Sequence, residues 1–307
     1  VTQADIEQVC QAIEDGIVSD LIRDPAGLAH FAWQVAELSS QPEVVTRHAA
    51  ATFVDVCLRD GLNMRRRADQ VAQALELVGG GMPADWASQA WLALGDAVNP
   101  RISPSAQKRC NDPLEPELQI SRSIGVRLMQ PPYVEECDGE LFLVDYEAEY
   151  EQGVLLAPLQ HYTRAYEVAE TIDEPDERCE VQVQALARLG HCLLANSEEA
   201  AGVEYLQRAV DAIDGTKSYG LTASGCRQRS RLLTAMAEHQ RSRKNLGDAL
   251  RLQEEAVASL EPFAVRNPRD ASRVCWLQLR LSQIQGELGE TAASLAAAER
   301  ALELGVQ

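Results

Sequence analysis

Aromatic residues are scarce in this sequence and make up only 5% of its 307 positions. Sandwiches and barrels need strands rich in aromatic and β-branched side chains, so this scarcity argues against a strand-based fold. The chain is instead rich in Ala, Leu, Glu, Gln and Arg, which all favour helix. Hydrophobic residues account for 46% of the positions, enough for a sizeable core in about two domains. The composition therefore predicts an all-α protein.

Basic residues are also in short supply. The chain has 28 Lys and Arg against 47 Asp and Glu, which gives a formal net charge of −19. Binding to nucleic acid needs a surplus of Lys and Arg on one face. The one dense basic run, Arg65 to Arg67, is short and begins a helix, so we interpret it as a solvated face. No nucleic-acid partner is predicted.

Long apolar runs and paired cysteines are missing as well. No stretch reaches the roughly 18 to 20 apolar residues that span a bilayer, and the N-terminus has no basic segment followed by an apolar one. No membrane association is predicted. The eight cysteines include no C-x-x-C pair, so we interpret them as buried thiols in the cytoplasm rather than a disulfide framework or zinc site. Because the chain does not begin with Met, we expect a processed or excised chain with a neighbouring domain or subunit.

Recognisable catalytic motifs are also absent from the sequence. The sequence contains no G-x-x-x-x-G-K-[ST], no G-x-S-x-G and no H-E-x-x-H. None of the five histidines has Glu three residues before it, as the inward-facing pairs of a carboxylate-bridged metal bundle would require. We therefore predict no catalytic residue, no metal and no cofactor. The alternative is an all-α enzyme whose metal-dependent site is assembled from residues that form no motif.

Residues 1–100 carry apolar positions at helical spacing and predict a bundle of five helices. Gly61 is expected to end the third helix, and the fourth is expected to begin at Asn63 and stop at the glycines 79–81. The fifth helix carries Trp86 and Trp91, and Asn99-Pro100 is expected to close the bundle.

Residues 101–152 are rich in proline and lack a helical period, which indicates a linker or an insertion. Within it, residues 133–137 and 140–146 fit two strands joined by an Asp138-Gly139 turn, and residues 120–128 could add a third strand. Acidic residues crowd positions 135–151 without the ordering of a calcium loop. We interpret them as a solvated or partner-facing edge.

Residues 153–307 repeat one pattern, a helix, a turn and a second helix, in three or four copies. One column of small residues is Gly190, Ala237 and Ser282, and another is Ala209, Ala256 and Ala301. Both columns recur with steps of 47 and 45 residues. Small residues at fixed positions allow helices to approach closely, and about three pairs must stack to bury a continuous core.

These columns resemble the tetratricopeptide repeat family, most closely over residues 289–304. The repeats here are longer than usual, and the aromatic that the family has in the second helix is Leu206, Gln253 and Ala298. Tyr166 and Ala169 resemble a partial earlier copy. The segment from Trp91 to Gly95 is similar to the first half of a repeat, but Asn99-Pro100 is expected to cut it off. The resemblance implies an α-solenoid like those in large bacterial multidomain sensors and regulators.

The resemblance also implies a groove lined by the first helix of each pair. Arg231 and Arg241 could bind a carboxylate in fork geometry, and Trp276 could anchor a side chain. This set favours a protein or peptide partner with an acidic end, bound by a non-catalytic scaffold or regulatory module. The alternative is that both arginines pair with Glu238 or lie in solvent while Trp276 fills the core between repeats. The expected groove residues are Gln184, His191, Arg231, Glu238, Arg241, Trp276 and Gln283.

Overall fold

The computed structural model describes residues 2–14, 25–59, 61–79, 81–99, 133–137, 140–144, 156–265 and 267–305. Over these residues the chain forms fourteen helices and one pair of short strands. The all-α fold class predicted from the composition is confirmed. Contacts divide the chain into two compact units, Val1–Ile172 and Asp173–Gln307.

The first unit is built around its third helix. Its helices are α1 (Gln3–Glu14), α2 (Pro25–Leu38), α3 (Glu43–Leu58), α4 (Gly61–Arg66), α5 (Ala68–Val78), α6 (Ala84–Val98) and α7 (Leu156–Ala169). Helix α3 contacts each of α1, α2, α4, α5 and α6. Its Phe53 ring stacks on Trp33 of α2 at 5.8 Å, and its Asp55 accepts a hydrogen bond of 2.9 Å from Trp86 of α6. Aromatic contacts and this bond fix the neighbouring helices on α3.

The expected fourth helix is two helices in the structure. Gly61 begins α4 instead of ending the preceding helix, which stops at Leu58. Arg67 separates α4 from α5 because its φ of −119° and ψ of 24° lie outside the helical region. Helix α5 then presents Val71, Leu75 and Val78 to the core at the expected spacing and ends at Gly79.

Two short strands lie between α6 and α7. Strands β1 (Tyr133–Cys137) and β2 (Glu140–Val144) pair antiparallel, with Tyr133 opposite Val144 and Cys137 opposite Glu140. They fall in the segment where the sequence predicts a hairpin. The predicted Asp138-Gly139 turn, the predicted third strand over 120–128 and most of the acidic edge lie outside the described residues.

Helices α6 and α7 pack together as a pair, although 57 residues separate them in the sequence. Gly95 allows the close approach, since a Cβ there would lie 2.3 Å from Cε1 of Tyr162. The Tyr162 hydroxyl donates a hydrogen bond of 2.8 Å to the buried Asp96 carboxylate. Beside it, Trp91 stacks on His161 with ring centroids 5.5 Å apart.

This pair corrects the expectation that Asn99-Pro100 cuts off the segment that begins at Trp91. The helix does end there, but its partner follows after the intervening residues. The entropic cost of closing a loop rises only with the logarithm of its length, so a long insertion does not prevent the two helices from pairing. Tyr162, Ala165 and Ala169 of α7 are all fully buried.

The second unit contains three helix pairs and one short helix. Its helices are α8 (Pro175–Ala195), α9 (Glu199–Gly215), α10 (Lys217–Gly220), α11 (Ala223–Ser242), α12 (Leu246–Ala264), α13 (Pro268–Glu287) and α14 (Thr291–Gly305). The pairs are α8 with α9, α11 with α12, and α13 with α14. No helix among the described residues is long and apolar enough to cross a bilayer.

Two members of the first predicted column, Gly190 and Ser282, lie where the two helices of their pair meet. A Cβ on Gly190 would lie 2.9 Å from the carbonyl oxygen of Gly202, so α8 and α9 touch backbone to backbone. In the last pair, Ser282 Oγ donates to the Ser294 carbonyl at 2.8 Å, and Ser294 Oγ donates to the Ser282 carbonyl at 2.9 Å. Packing between the helices therefore depends on the register seen in the sequence.

The turns between paired helices share one conformation. Ser197, Lys244 and Gly289 follow α8, α11 and α13, and all three have positive φ, of 64°, 63° and 82°. After each of them, the next amide donates back to a carbonyl near the end of the first helix at 2.9 Å, as in Glu198 to Leu193. This is the Schellman arrangement, which usually places glycine at the left-handed position.

Candidate functional site

We define the first-helix face as the seven residues that the sequence assigns to a groove. Gln184 and His191 lie on α8, and both side chains are half-buried. Helix α11 contributes Arg231, Glu238 and Arg241, which are also half-buried. On α13, Trp276 is half-buried and Gln283 is exposed.

The structure brings three of the seven residues into one cluster across α11 and α13. Arg280 lies over the Trp276 ring with its Cζ 4.5 Å from the centroid, and it also donates to the Glu238 carboxylate. Nη1 of Arg241 lies 3.8 Å from the same carboxylate. Nε of Arg241 donates to Glu287 at 2.9 Å. We call these five residues, Glu238, Arg241, Trp276, Arg280 and Glu287, the arginine cluster.

Sequence reasoning missed two members of this cluster. Arg280 follows Trp276 by four residues, which places both on one helix face, so a search for cation–π spacing would have found it. Glu287 gives no such signal, because it meets Arg241 only through the stacking of α13 on the preceding pair. The contact joins positions 46 residues apart, close to the repeat step.

The remaining expected residues lie outside the cluster. All three guanidinium nitrogens of Arg231 are inaccessible to solvent, so this side chain does not present a fork to an incoming peptide. Arg241 instead keeps 26% of its side chain exposed. Arg241 also approaches Glu238, but its hydrogen bonds go to Glu287.

Electrostatics at the cluster favour the ionised form of the Glu287 carboxyl. The hydrogen bond from Arg241 holds the pKa of Glu287 below its usual range, and the positive charge of Lys244 acts in the same direction. Because the group is largely solvated, its pairing contributes at most about 1 kcal/mol to stability. Two guanidinium groups and two carboxylates thus alternate beside an aromatic ring.

Burial lowers the reactivity of three cysteine thiols elsewhere in the second unit. Burial raises the pKa of the thiols of Cys179, Cys226 and Cys275, so less thiolate forms near neutral pH. Among the described residues, no three His, Cys, Asp or Glu side chains are grouped closely enough to hold a metal ion. The arginine cluster offers guanidinium groups, which can form paired hydrogen bonds to carboxylates.

Comparison with known proteins does not identify a family for this chain. No family model and no curated protein matches this chain. Among solved structures, the crystal structure of yeast Tom70 aligns with 98% of this chain and 76% of its own, at 11% identity and a TM-score of 0.20. A TM-score of 0.20 is too low to establish a shared fold.

Proposed function

We propose that this chain is a non-catalytic scaffold or regulatory module that binds a polypeptide through the first-helix face. The arginine cluster is the observation that carries this proposal. It places two guanidinium groups and an indole ring side by side on neighbouring repeats, and each of the three side chains is partly accessible. Arginine and tryptophan are enriched among the residues that dominate binding energy at protein interfaces.

The ligand that fits this cluster is a peptide segment with carboxylates near its end. Glu238 and Glu287 now accept hydrogen bonds from Arg280 and Arg241. A partner carboxylate could replace either one, because all four side chains of these two ion pairs are partly accessible to solvent. Each arginine loses a hydrogen bond to its own glutamate when a partner carboxylate binds it. A partner with more than one carboxylate is therefore favoured, since it can replace the contacts of both arginines.

A regulatory role follows from the resemblance to repeats in large bacterial sensors, and with it an adjacent domain or subunit that responds to binding. Cytoplasmic location also stays a prediction from the sequence. The alternative of a metal-dependent all-α enzyme has no specific observation in its favour among the described residues. The scaffold is therefore the function that the geometry supports best.

The experiment is a quantitative affinity purification from the native host that compares the wild type with the double variant Arg241→Gln and Arg280→Gln. We expect recovery of the specific partner to fall at least tenfold, because both carboxylate-binding groups are removed without introducing a charge that would repel Glu238 or Glu287.

The matched control is Arg243→Gln with Arg251→Gln. These two arginines also pair with glutamates, Glu199 and Glu255, but they lie away from the cluster and are well exposed. The control should retain the partner, and all three proteins should melt at the same temperature. Equal recovery with both double variants would refute the assignment of the cluster as the binding site.

A further inference from the structure

Helix α14 exposes a row of apolar side chains that is covered in the two preceding pairs. Repeat steps of 47 and 45 residues align Val210, Val257 and Leu302. Val210 and Val257 are only 3% and 6% exposed, whereas Leu302 is 69% exposed. Leu295, one heptad earlier on the same face, is 60% exposed. This outer face of α14 is defined by Leu295, Ala298 and Leu302, with Glu299 and Glu303 at its edge.

The chain itself shows what covers such a face. Helix α13 packs over α12, and Gln253 of α12, which is fully buried, donates a hydrogen bond of 3.0 Å to the Leu277 carbonyl of α13. In the same way, α11 packs over α9. In both cases, the cover is the first helix of the following pair. The occupant that fits the outer face of α14 is therefore a single α-helix.

The charge of the covering helices identifies the kind of helix required. Within this acidic chain, α11 carries four arginines and one glutamate, and α13 carries three arginines and two carboxylates. The helices that they cover have the opposite balance, since α9 and α12 each carry four carboxylates and one arginine. Arg229 of α11 shows this complementarity directly, since it pairs with Asp214 of α9 at 2.9 Å, whereas Arg227 and Arg241 of the same helix pair with carboxylates of α13.

We propose that the outer face of α14 binds a cationic amphipathic helix of a partner protein. This surface is separate from the arginine cluster and does not depend on its function. Glu299 and Glu303 flank the leucines and match basic residues on the partner, which can replace the exposed pair that Glu303 forms with Arg300 of α14 at 3.0 Å. A second copy of α14 fits poorly, because both copies would bring these carboxylates to the contact and the whole chain carries a net charge of −19.

The chain's own α11 sequence supplies a probe, because it already covers the equivalent face of α9. We would label a synthetic peptide of residues 223–242, with Cys226 replaced by serine, and measure its binding to the full chain by fluorescence anisotropy in 150 mM salt. A second peptide, with its four arginines changed to glutamate, should not bind.

Two double variants test the surface. Leu295→Ser with Leu302→Ser removes the apolar row without a change of charge, and Glu299→Lys with Glu303→Lys reverses its edge. Each should weaken binding of the basic peptide at least tenfold, and the second should also allow the acidic peptide to bind. Because the four side chains are exposed, both variants should melt like the wild type.

Matched controls change the same kinds of side chain elsewhere in the second unit. Leu221→Ser with Val265→Ser alters two exposed apolar residues, and Glu204→Lys with Glu254→Lys makes the same change of charge on other helices. Both controls should bind the basic peptide within about twofold of the wild type. Equal loss in test and control variants would overturn the proposal.

Sedimentation velocity of the full chain tests the second-copy alternative. We expect a monomer at micromolar concentration. A dimer that Leu295→Ser with Leu302→Ser dissociates would instead show that the outer face of α14 binds another copy of this chain, and would overturn the assignment to a basic partner.

Discussion

Asp270 lies in the first turn of α13 with only 1% of its surface exposed, and it accepts two hydrogen bonds from Arg227 of α11, at 2.6 and 2.8 Å. A buried carboxylate without a partner is expensive, and so is the arginine that loses its acceptor. This pair therefore fixes the position of the third repeat on the second.

Replacing Asp270 with alanine should lower the free energy of unfolding by about 3 kcal/mol, because it leaves the Arg227 guanidinium partly buried and uncompensated. Urea unfolding followed by circular dichroism would measure the loss. Arg251→Ala, which breaks an exposed pair with Glu255 within α12, should cost less than about 1 kcal/mol. Similar losses in the two variants would contradict the role given to Asp270.

Individual contacts of this kind could be predicted from the sequence only where they are local. Arg280 and Trp276 lie on one helix at a spacing that brings their side chains together. Arg227 and Asp270 lie 43 residues apart, and their meeting depends on how one pair stacks on the next. The sequence also overestimated the availability of Arg231, whose three guanidinium nitrogens are inaccessible to solvent.

At the scale of elements, the three turns within the second unit differ in residue but not in backbone. Ser197 and Lys244 adopt the left-handed conformation that only Gly289 adopts without steric cost. No atom outside its own turn lies within 4 Å of a Cβ placed on Gly289, so any cost of substitution there is conformational.

Changing Lys244 to glycine should therefore raise the free energy of unfolding by about 0.5–1 kcal/mol, since relief of backbone strain exceeds the extra entropy of the unfolded chain. Gly289→Ala should lower it by about 1 kcal/mol for the opposite reason. Both values can be read from urea denaturation midpoints. A destabilised Lys244→Gly variant would show that the lysine side chain matters more than its backbone.

Helix positions were largely predictable, because an apolar stripe such as Val71, Leu75 and Val78 specifies both the period and the buried face. The columns at Gly190 and Ser282 similarly predicted where paired helices meet. The break at Arg67 was not predictable, since no proline or glycine marks it.

At the scale of the molecule, the packing of α6 on α7 gives the clearest contrast between local and long-range effects. Alanine stabilises an isolated helix by about 1 kcal/mol relative to glycine. At Gly95, however, the added methyl group would lie 2.3 Å from the Tyr162 ring. The steric clash of this methyl group with the Tyr162 ring should outweigh the gain in helix propensity from replacing glycine with alanine.

Gly95→Ala should therefore destabilise the first unit by about 1–3 kcal/mol. Tryptophan fluorescence during urea unfolding suits the measurement, because Trp33, Trp86 and Trp91 lie in this unit and only Trp276 lies in the second. Gly247→Ala in α12, where a Cβ would meet no atom within 4 Å, serves as the control and should cause no loss. A stabilised Gly95→Ala variant would mean that α6 has no close partner at this position.

The sequence could not reveal this pair, because its two halves are separated by residues of unrelated composition and periodicity reports only local order. Trp91, Gly95, Tyr162 and Ala165 do contain the signal, but it appears only when the intervening segment is set aside. The repeats after Asp173 differ in this respect, because the two helices of each pair follow each other closely in the sequence.

The pairing of α6 with α7 has a consequence for evolution and engineering. The two helices pair with each other much as the two strands of an RNA stem do, with residues 99–155 between them in the sequence. Changes in the length of that segment should cost the scaffold little, because loop-closure entropy rises only slowly with length, provided that Gly95 and Tyr162 keep their contact.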